Sequence, residues 1–328
     1  MPPGFSAQRG ALAASTRWRL PFGRQAWRGL SGNWQGAGAG SSIDFQDHRV
    51  YVPGDDPRHI HWQAFARTGA LTMKLYRAEV SPMVDVAIDV SNSMLFTPEK
   101  AARTEELLAF AVESAAGVGA PVRVYAANGR TIRVVATETV RAGNWRERLN
   151  ASAAASAGFV GGVPSPRGER AAPPVAAPRG ESTPPTSAES NSKSVAVATP
   201  GPLPWRPGAM KVLISDLLFP GDPAALLGPM AATSGLGILL VPTVADEAEL
   251  GWRGNVELTD CESGVMRKQR IDEDLAKSYR EAYVRHFSLW REACRKRGVL
   301  LARIPAETPL ALALGGEAFS AGAVEAIA

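Results

Sequence analysis

The feature that most constrains this chain is an alternation of buried-type strands with amphipathic helices, in which two of the strands run into an aspartate. Met83 to Val90 (MVDVAIDV) is a β-branched run of strand length, followed by Ser91-Asn92-Ser93 and a helix expected from about Pro98 to Val118. Thr97 is a good N-cap, Pro98 suits the first helical position, and Leu107, Leu108, Ala111 and Val112 supply an apolar stripe. Val122 to Ala126 and Thr131 to Ala136 flank Asn128-Gly129, the signature of a hairpin. Further on, Met210 to Ile214 is a buried-type strand ending at Ser215-Asp216, Asp222 opens a short helix to about Thr233, and Ile238 to Val244 is another strand. Val256 to Thr259 and Met266 to Ile271 are expected to pair across Glu262-Ser263-Gly264. A charged helix spans Asp272 to Arg297 and ends at Gly298, before a last strand from Val299 to Ile304. This order implies an α/β fold: a mostly parallel sheet covered by helices on both faces, with its ligand site at the carboxyl ends of the strands. Asp89 and Asp216 both fall there.

Composition matters where the pattern breaks. Between residues 151 and 207 the chain places 11 of its 25 prolines among Ala, Ser, Gly and Thr, with almost no large apolar residues. Such a stretch buries too little surface to offset its ordering entropy, so a disordered insertion is expected there. It divides the α/β pattern into halves, residues 81–150 and 208–328. Residues 34–80, rich in Trp, Tyr, Phe and turn residues, read as a small β-rich lead-in. Residues 1–33 carry Arg9, Arg17, Arg19, Arg24 and Arg28, which interrupt every possible signal-peptide core, and an exposed, disordered basic leader is expected.

Several function classes are disfavoured at this stage. No run reaches the roughly 18 consecutive apolar residues that span a bilayer. Cys261 and Cys294 lack CxxC spacing and read as the reduced thiols of a cytoplasmic protein. A net charge of +4 is too modest, over 328 residues, to mark a nucleic-acid binder. Gly36-Ala37-Gly38-Ala39-Gly40 lacks the Lys-Ser/Thr of a phosphate loop.

Asp89, Ser91 and Ser93 place a carboxylate and two hydroxyls at alternate positions on the loop leaving a strand, and Asp216 adds a second carboxylate at another strand end. Oxygen donors in this arrangement suit a hard cation such as Mg²⁺ or Mn²⁺. Its few formal charges leave the metal electrophilic, with water positions that an incoming carboxylate can take. The plainer reading is that Asp89 and the serines cap the helix that follows. A hydrolytic alternative, a metal-dependent phosphoester hydrolase using Asp89 and Asp216, has Ser91 where such phosphatases place a second Asp as general acid. His48, His59 and His61 with Asp55 and Asp56 form a weaker candidate for a second metal site. Ion pairing of Asp55 or Asp56 with Arg58 or Arg67, holding the lead-in onto the main domain, is favoured over it.

The segment from Ser42 to Arg77 contains Asp44-Phe45-Gln46-Asp47-His48-Arg49, Gly54-Asp55-Asp56-Pro57-Arg58, Ile60-His61-Trp62 and Ala66-Arg67-Thr68-Gly69. It resembles the signature of the domain of unknown function 58 family, and Asp89-Val90-Ser91-Asn92-Ser93-Met94 stands where that family has its DxSxSM motif. The resemblance implies a von Willebrand factor type A-like domain with a metal-ion-dependent adhesion site, in which Asp89, Ser91, Ser93 and Asp216 match the acidic and hydroxyl positions. Asp55, Asp56, Arg58, Trp62 and Arg67 belong to the structural signature. The family's threonine ligand is replaced by Val163 in Gly161-Gly162-Val163-Pro164, so Thr183 or Thr186 supplies it or the site is incomplete. Members are commonly encoded beside MoxR-type AAA+ ATPases, which implies a non-catalytic adaptor whose partner is such an ATPase or its client.

Overall fold

Hydrogen bonding joins six strands into one sheet, and the order of those strands sets where the two aspartates meet. The computed structural model describes residues 3–24, 27, 34–158, 201–219, 221–262 and 264–327. In chain order the first elements are α1 (Pro3–Ser15), β1 (Trp18–Arg19), β2 (Trp34–Val50), α2 (Trp62–Thr68) and β3 (Thr72–Val80). Then come β4 (Val84–Asp89), α3 (Pro98–Gly117), β5 (Val122–Asn128), β6 (Thr131–Val135), α4 (Thr137–Arg141) and α5 (Trp145–Gly158). The remainder comprises β7 (Met210–Ile214), α6 (Pro223–Ala232), β8 (Gly237–Thr243), α7 (Ala245–Ala248), β9 (Gly254–Thr259) and β10 (Met266–Ile271). Last are α8 (Glu273–Arg297), β11 (Leu300–Pro305), α9 (Leu310–Ala313) and β12 (Glu325–Ala326). Two compact units result, residues 1–145 with 197–328, and residues 146–196. Within the second, the described residues belong to α5.

The sheet order is β11-β8-β7-β4-β5-β6, parallel throughout except for β6, which returns antiparallel beside β5. The chain leaves β4 for β5 on one side, whereas β7 lies on the other, so the order reverses at β4. Such a switch point opens a crevice at the carboxyl ends of the strands. One face of the sheet packs Ala87, Tyr125, Leu213, Leu239 and Val241 with Leu226 and Met230 of α6 and Phe287 and Trp290 of α8. Strand alternation turns Val86, Ile88, Val212 and Ile214, all fully buried, to the other face. There α3 packs across β4, β5, β7 and β8.

Local sequence signals account for the element ends. Thr97, Asp222 and Asp272 each accept a backbone N–H of the helix they open, at 3.2, 2.8 and 2.8 Å. Gly298 ends α8 at φ 66°, a left-handed cap that favours glycine.

Two expectations are corrected. The first residues are no disordered leader: α1 packs on α3, and β1 pairs with β12 near the other end of the chain. Ala7, Ala11 and Ala14, four and three residues apart, are buried and let the helices approach closely, while Trp18, Leu20, Phe22 and Trp27 bury large side chains beyond them. Arg9, Arg17 and Arg24 simply occupy the exposed side. The insertion is also shorter than 151–207. Residues 151–158 continue α5, and Leu203 and Trp205 join the core. Residues 159–200, with Val163, Thr183 and Thr186, lie outside the described residues.

Arg206 shows how the chain is fastened where it re-enters the fold. Its Nε donates to buried Asp85 Oδ1 at 2.7 Å, its backbone N–H to Oδ2 at 2.6 Å, and one guanidinium nitrogen to Val84 O at 2.8 Å. Among the described residues no helix is long and apolar enough to cross a membrane. Arg206→Ala keeps the backbone N–H bond but takes the guanidinium from the buried Asp85 carboxylate, at a cost of about 3 kcal/mol. Urea unfolding is expected to show a clearly lower midpoint, and an unchanged midpoint would show that this clamp is dispensable.

Candidate functional site

Asp89 is the last residue of β4, and Asp216 follows β7, its parallel neighbour, by two residues. Both are buried, and both line a cleft of about 370 Å³ that also receives Ser91, Ser93, Phe96, Lys100, Leu218, Glu247 and Glu262. All four metal-ligand candidates read from the sequence therefore reach one cavity. The Ser91 and Ser93 hydroxyl oxygens are 3.1 Å apart. Asp89 Oδ1 accepts the Ser91 N–H at 2.9 Å, and Oδ2 accepts the Ser215 hydroxyl at 2.9 Å. None of these groups caps α3, whose N-cap is Thr97, so the plainer capping reading fails for that helix.

Lys100 was not singled out by sequence, yet it sits at the centre of the electrostatics. It projects from the first turn of α3, where the helix dipole disfavours a cation, and that misplacement is the signal that marks it. Its ammonium donates to Asp216 Oδ2 at 2.7 Å and also to Glu247 Oε1. All three side chains are at least nine-tenths buried. Burial alone would lower the Lys100 pKa, but the Asp216 and Glu247 carboxylates outweigh it and hold the group above its ordinary value. Asp216 Oδ1 accepts the Leu218 N–H at 3.1 Å. The next residue, Leu217, is a non-glycine residue in the left-handed region at φ 58°. The Leu217 carbonyl lies 2.8 Å from His286 Nε2 of α8.

Among the described residues the lining holds five carboxylates (Asp89, Asp216, Glu247, Asp260 and Glu262) against one cationic side chain, Lys100. Burial pushes the Asp89 carboxyl above the usual carboxylate range, and the nearby Asp216 charge adds to the rise against hydrogen bonds from Ser91 and Ser215. The donor set is all oxygen, with two carboxylates and two hydroxyls, and the excess of negative charge suits a hard divalent cation. Among the described residues no group of three or more His, Cys, Asp or Glu side chains is placed to hold a metal, so a cation here depends on the hydroxyls as well.

The signature residues lie elsewhere, on the β2–β3 hairpin. Asp55 pairs with Arg49 at 2.5 Å and accepts the Val52 N–H at 2.9 Å. Asp56 pairs with Arg58 at 2.7 Å, and that hydrogen-bonded guanidinium lowers its carboxyl to about 2. These pairs fasten turns within the lead-in and do not tie it to the main domain as expected. Trp62 is exposed on α2 and meets Phe65 edge to face at 6.2 Å, and Arg67 lies on the same helix. His48 Nε2 and His61 Nδ1 are 2.9 Å apart in stacked rings.

Because folding buries Asp89 with a raised pKa, its ionised form opposes folding, and that penalty vanishes as pH falls and the group protonates. In metal-free protein at neutral pH, Asp89→Asn is expected to raise the melting temperature by about 2–4 °C, with the gain shrinking in mild acid. A variant less stable than the wild type would show that the carboxylate is a structural anchor.

No curated protein and no solved structure matches the chain. The sequence model of the family described as Protein of unknown function DUF58 matches residues 47–289, which include β4, its DxSxS loop, Lys100, Asp216, Glu247 and Glu262. By that match, over most of its length, the chain belongs to the DUF58 family.

Proposed function

We propose that the protein is a non-catalytic, metal-dependent binding module whose cleft holds Mg²⁺ or Mn²⁺ and docks a partner protein. The observation that carries this reading is the meeting of Asp89, Ser91, Ser93 and Asp216 at the carboxyl ends of adjacent parallel strands, in a cleft where carboxylates outnumber cations five to one. These four residues would hold the ion. When bound, it supplies an electrophilic centre with exchangeable water positions, to which a partner's acidic side chain can coordinate. Lys100 neutralises part of the charge at Asp216, which keeps the cleft compatible with folding.

The von Willebrand factor type A-like character and the partnership with a MoxR-type AAA+ ATPase, or with its client during assembly or maturation of a complex, rest on the family resemblance. The hydrolytic alternative draws less support. Ser91 stands where a phosphatase of that kind needs a carboxylic acid and offers no comparable proton.

Isothermal titration calorimetry with Mn²⁺ on the wild type and on Ser91→Ala tests the reading. Saturable binding to the wild type is expected, weakened about tenfold or more in the variant, as loss of a direct oxygen ligand implies. Equal affinity in the two proteins would remove Ser91 from the site, and turnover of a phosphoester by the wild type would replace the binding reading with an enzymatic one.

A further inference from the structure

The β9–β10 hairpin stands apart from the main sheet. Its strands pair only with each other, and along them only Ile271, at the base, is buried. Trp252, Val265 and Met266 are each more than half exposed. Yet the turn of this hairpin reaches the cleft, where Asp260, Cys261 and Glu262 form part of the lining.

Two hydrogen bonds join the turn to the loop after β4. Asn92 Nδ2 donates to the Cys261 carbonyl at 3.0 Å, and the Ser93 N–H donates to Glu262 Oε1 at 2.7 Å. Within the turn, the Glu262 N–H donates to Asp260 Oδ1 at 2.9 Å, the Gly264 N–H to Asp260 O at 2.8 Å, and the Asp260 N–H to Val265 O at 2.9 Å. Glu262 is thus carried on a turn braced by hydrogen bonds of its own. An element with little buried apolar surface opens at low free energy. Its closed position also sets one more carboxylate in a cleft that already holds Asp89, Asp216 and Glu247, a placement that like-charge repulsion opposes and the charge-assisted bond from Ser93 offsets.

We propose that the β9–β10 hairpin is a flap over the acidic cleft, latched shut by Glu262 on the Ser93 amide and by Asn92 on the Cys261 carbonyl. In the latched state Glu262 occupies the DxSxS loop, and a partner reaches the cleft by lifting the hairpin. The role of the flap rests on the cleft being the binding site, but the latch can be tested without any metal or partner.

The test is a spin-label distance measurement on the full chain, with nitroxides at Val265→Cys on the flap and Leu289→Cys on the exposed side of α8, in a Cys261→Ser background. Cys294 is buried, so the labels go to the introduced sites. With the latch intact, one narrow distance distribution is expected. Adding Glu262→Ala and Asn92→Ala is expected to create a second, longer-distance population, whereas Glu257→Ala, on the same hairpin away from the latch, leaves the narrow distribution as it was. An unchanged distribution in the latch variant, or a broad one before the latch is removed, would overturn the flap. Mn²⁺ titration of the same proteins separates the two readings: distances that open without any Mn²⁺ binding retain the flap and reject the cation site, and the reverse rejects the flap alone.

Discussion

A single buried ammonium makes this site possible. Lys100 lies between Asp216 and Glu247, with Asp89 close enough to feel the Asp216 charge, and none of the four groups has substantial access to water. Burying carboxylates costs several kcal/mol each unless partners compensate. Lys100 compensates for one charge and leaves the cluster negative, so the cleft is tolerable for folding yet short of positive charge. On the proposed reading, a divalent cation would relieve that shortage, an exchange of some stability for function.

The central sheet and the helices on it place those groups. The switch in strand order at β4 puts Asp89 and Asp216 side by side, and the alternation along β4 and β7 gives each face of the sheet its own layer of helices. Helix α3 starts close to the cleft and delivers Lys100 from its first turn. α7 brings Glu247, whose carbonyl accepts the Tyr279 hydroxyl of α8 at 2.8 Å. On the opposite side Arg206 pins the returning chain to Asp85, at the start of the strand that Asp89 ends.

Much of this was legible in the residues. Short β-branched runs ending in aspartate marked both carboxylates, capping residues marked the helix ends, and the family signature agreed with the match over 47–289. What escaped depends on tertiary approach. Glu247 and Glu262 were not singled out, because no local pattern reveals that a short helix and a hairpin turn will carry them to one cleft. The first residues were misread because five arginines outweighed the quieter spacing of Ala7, Ala11 and Ala14, which encodes close helix packing. The edge of the insertion was misplaced because Leu203 and Trp205 sit among prolines, where composition averages hide two core side chains.

The most direct test of the central claim is anomalous diffraction from crystals grown with saturating Mn²⁺. The account predicts a Mn²⁺ peak in the cleft among Asp89, Ser91, Ser93 and Asp216. A cleft without a peak, with Lys100 still bound to Asp216 and Glu247, would contradict it and leave the ammonium as the cation that these carboxylates were arranged to hold.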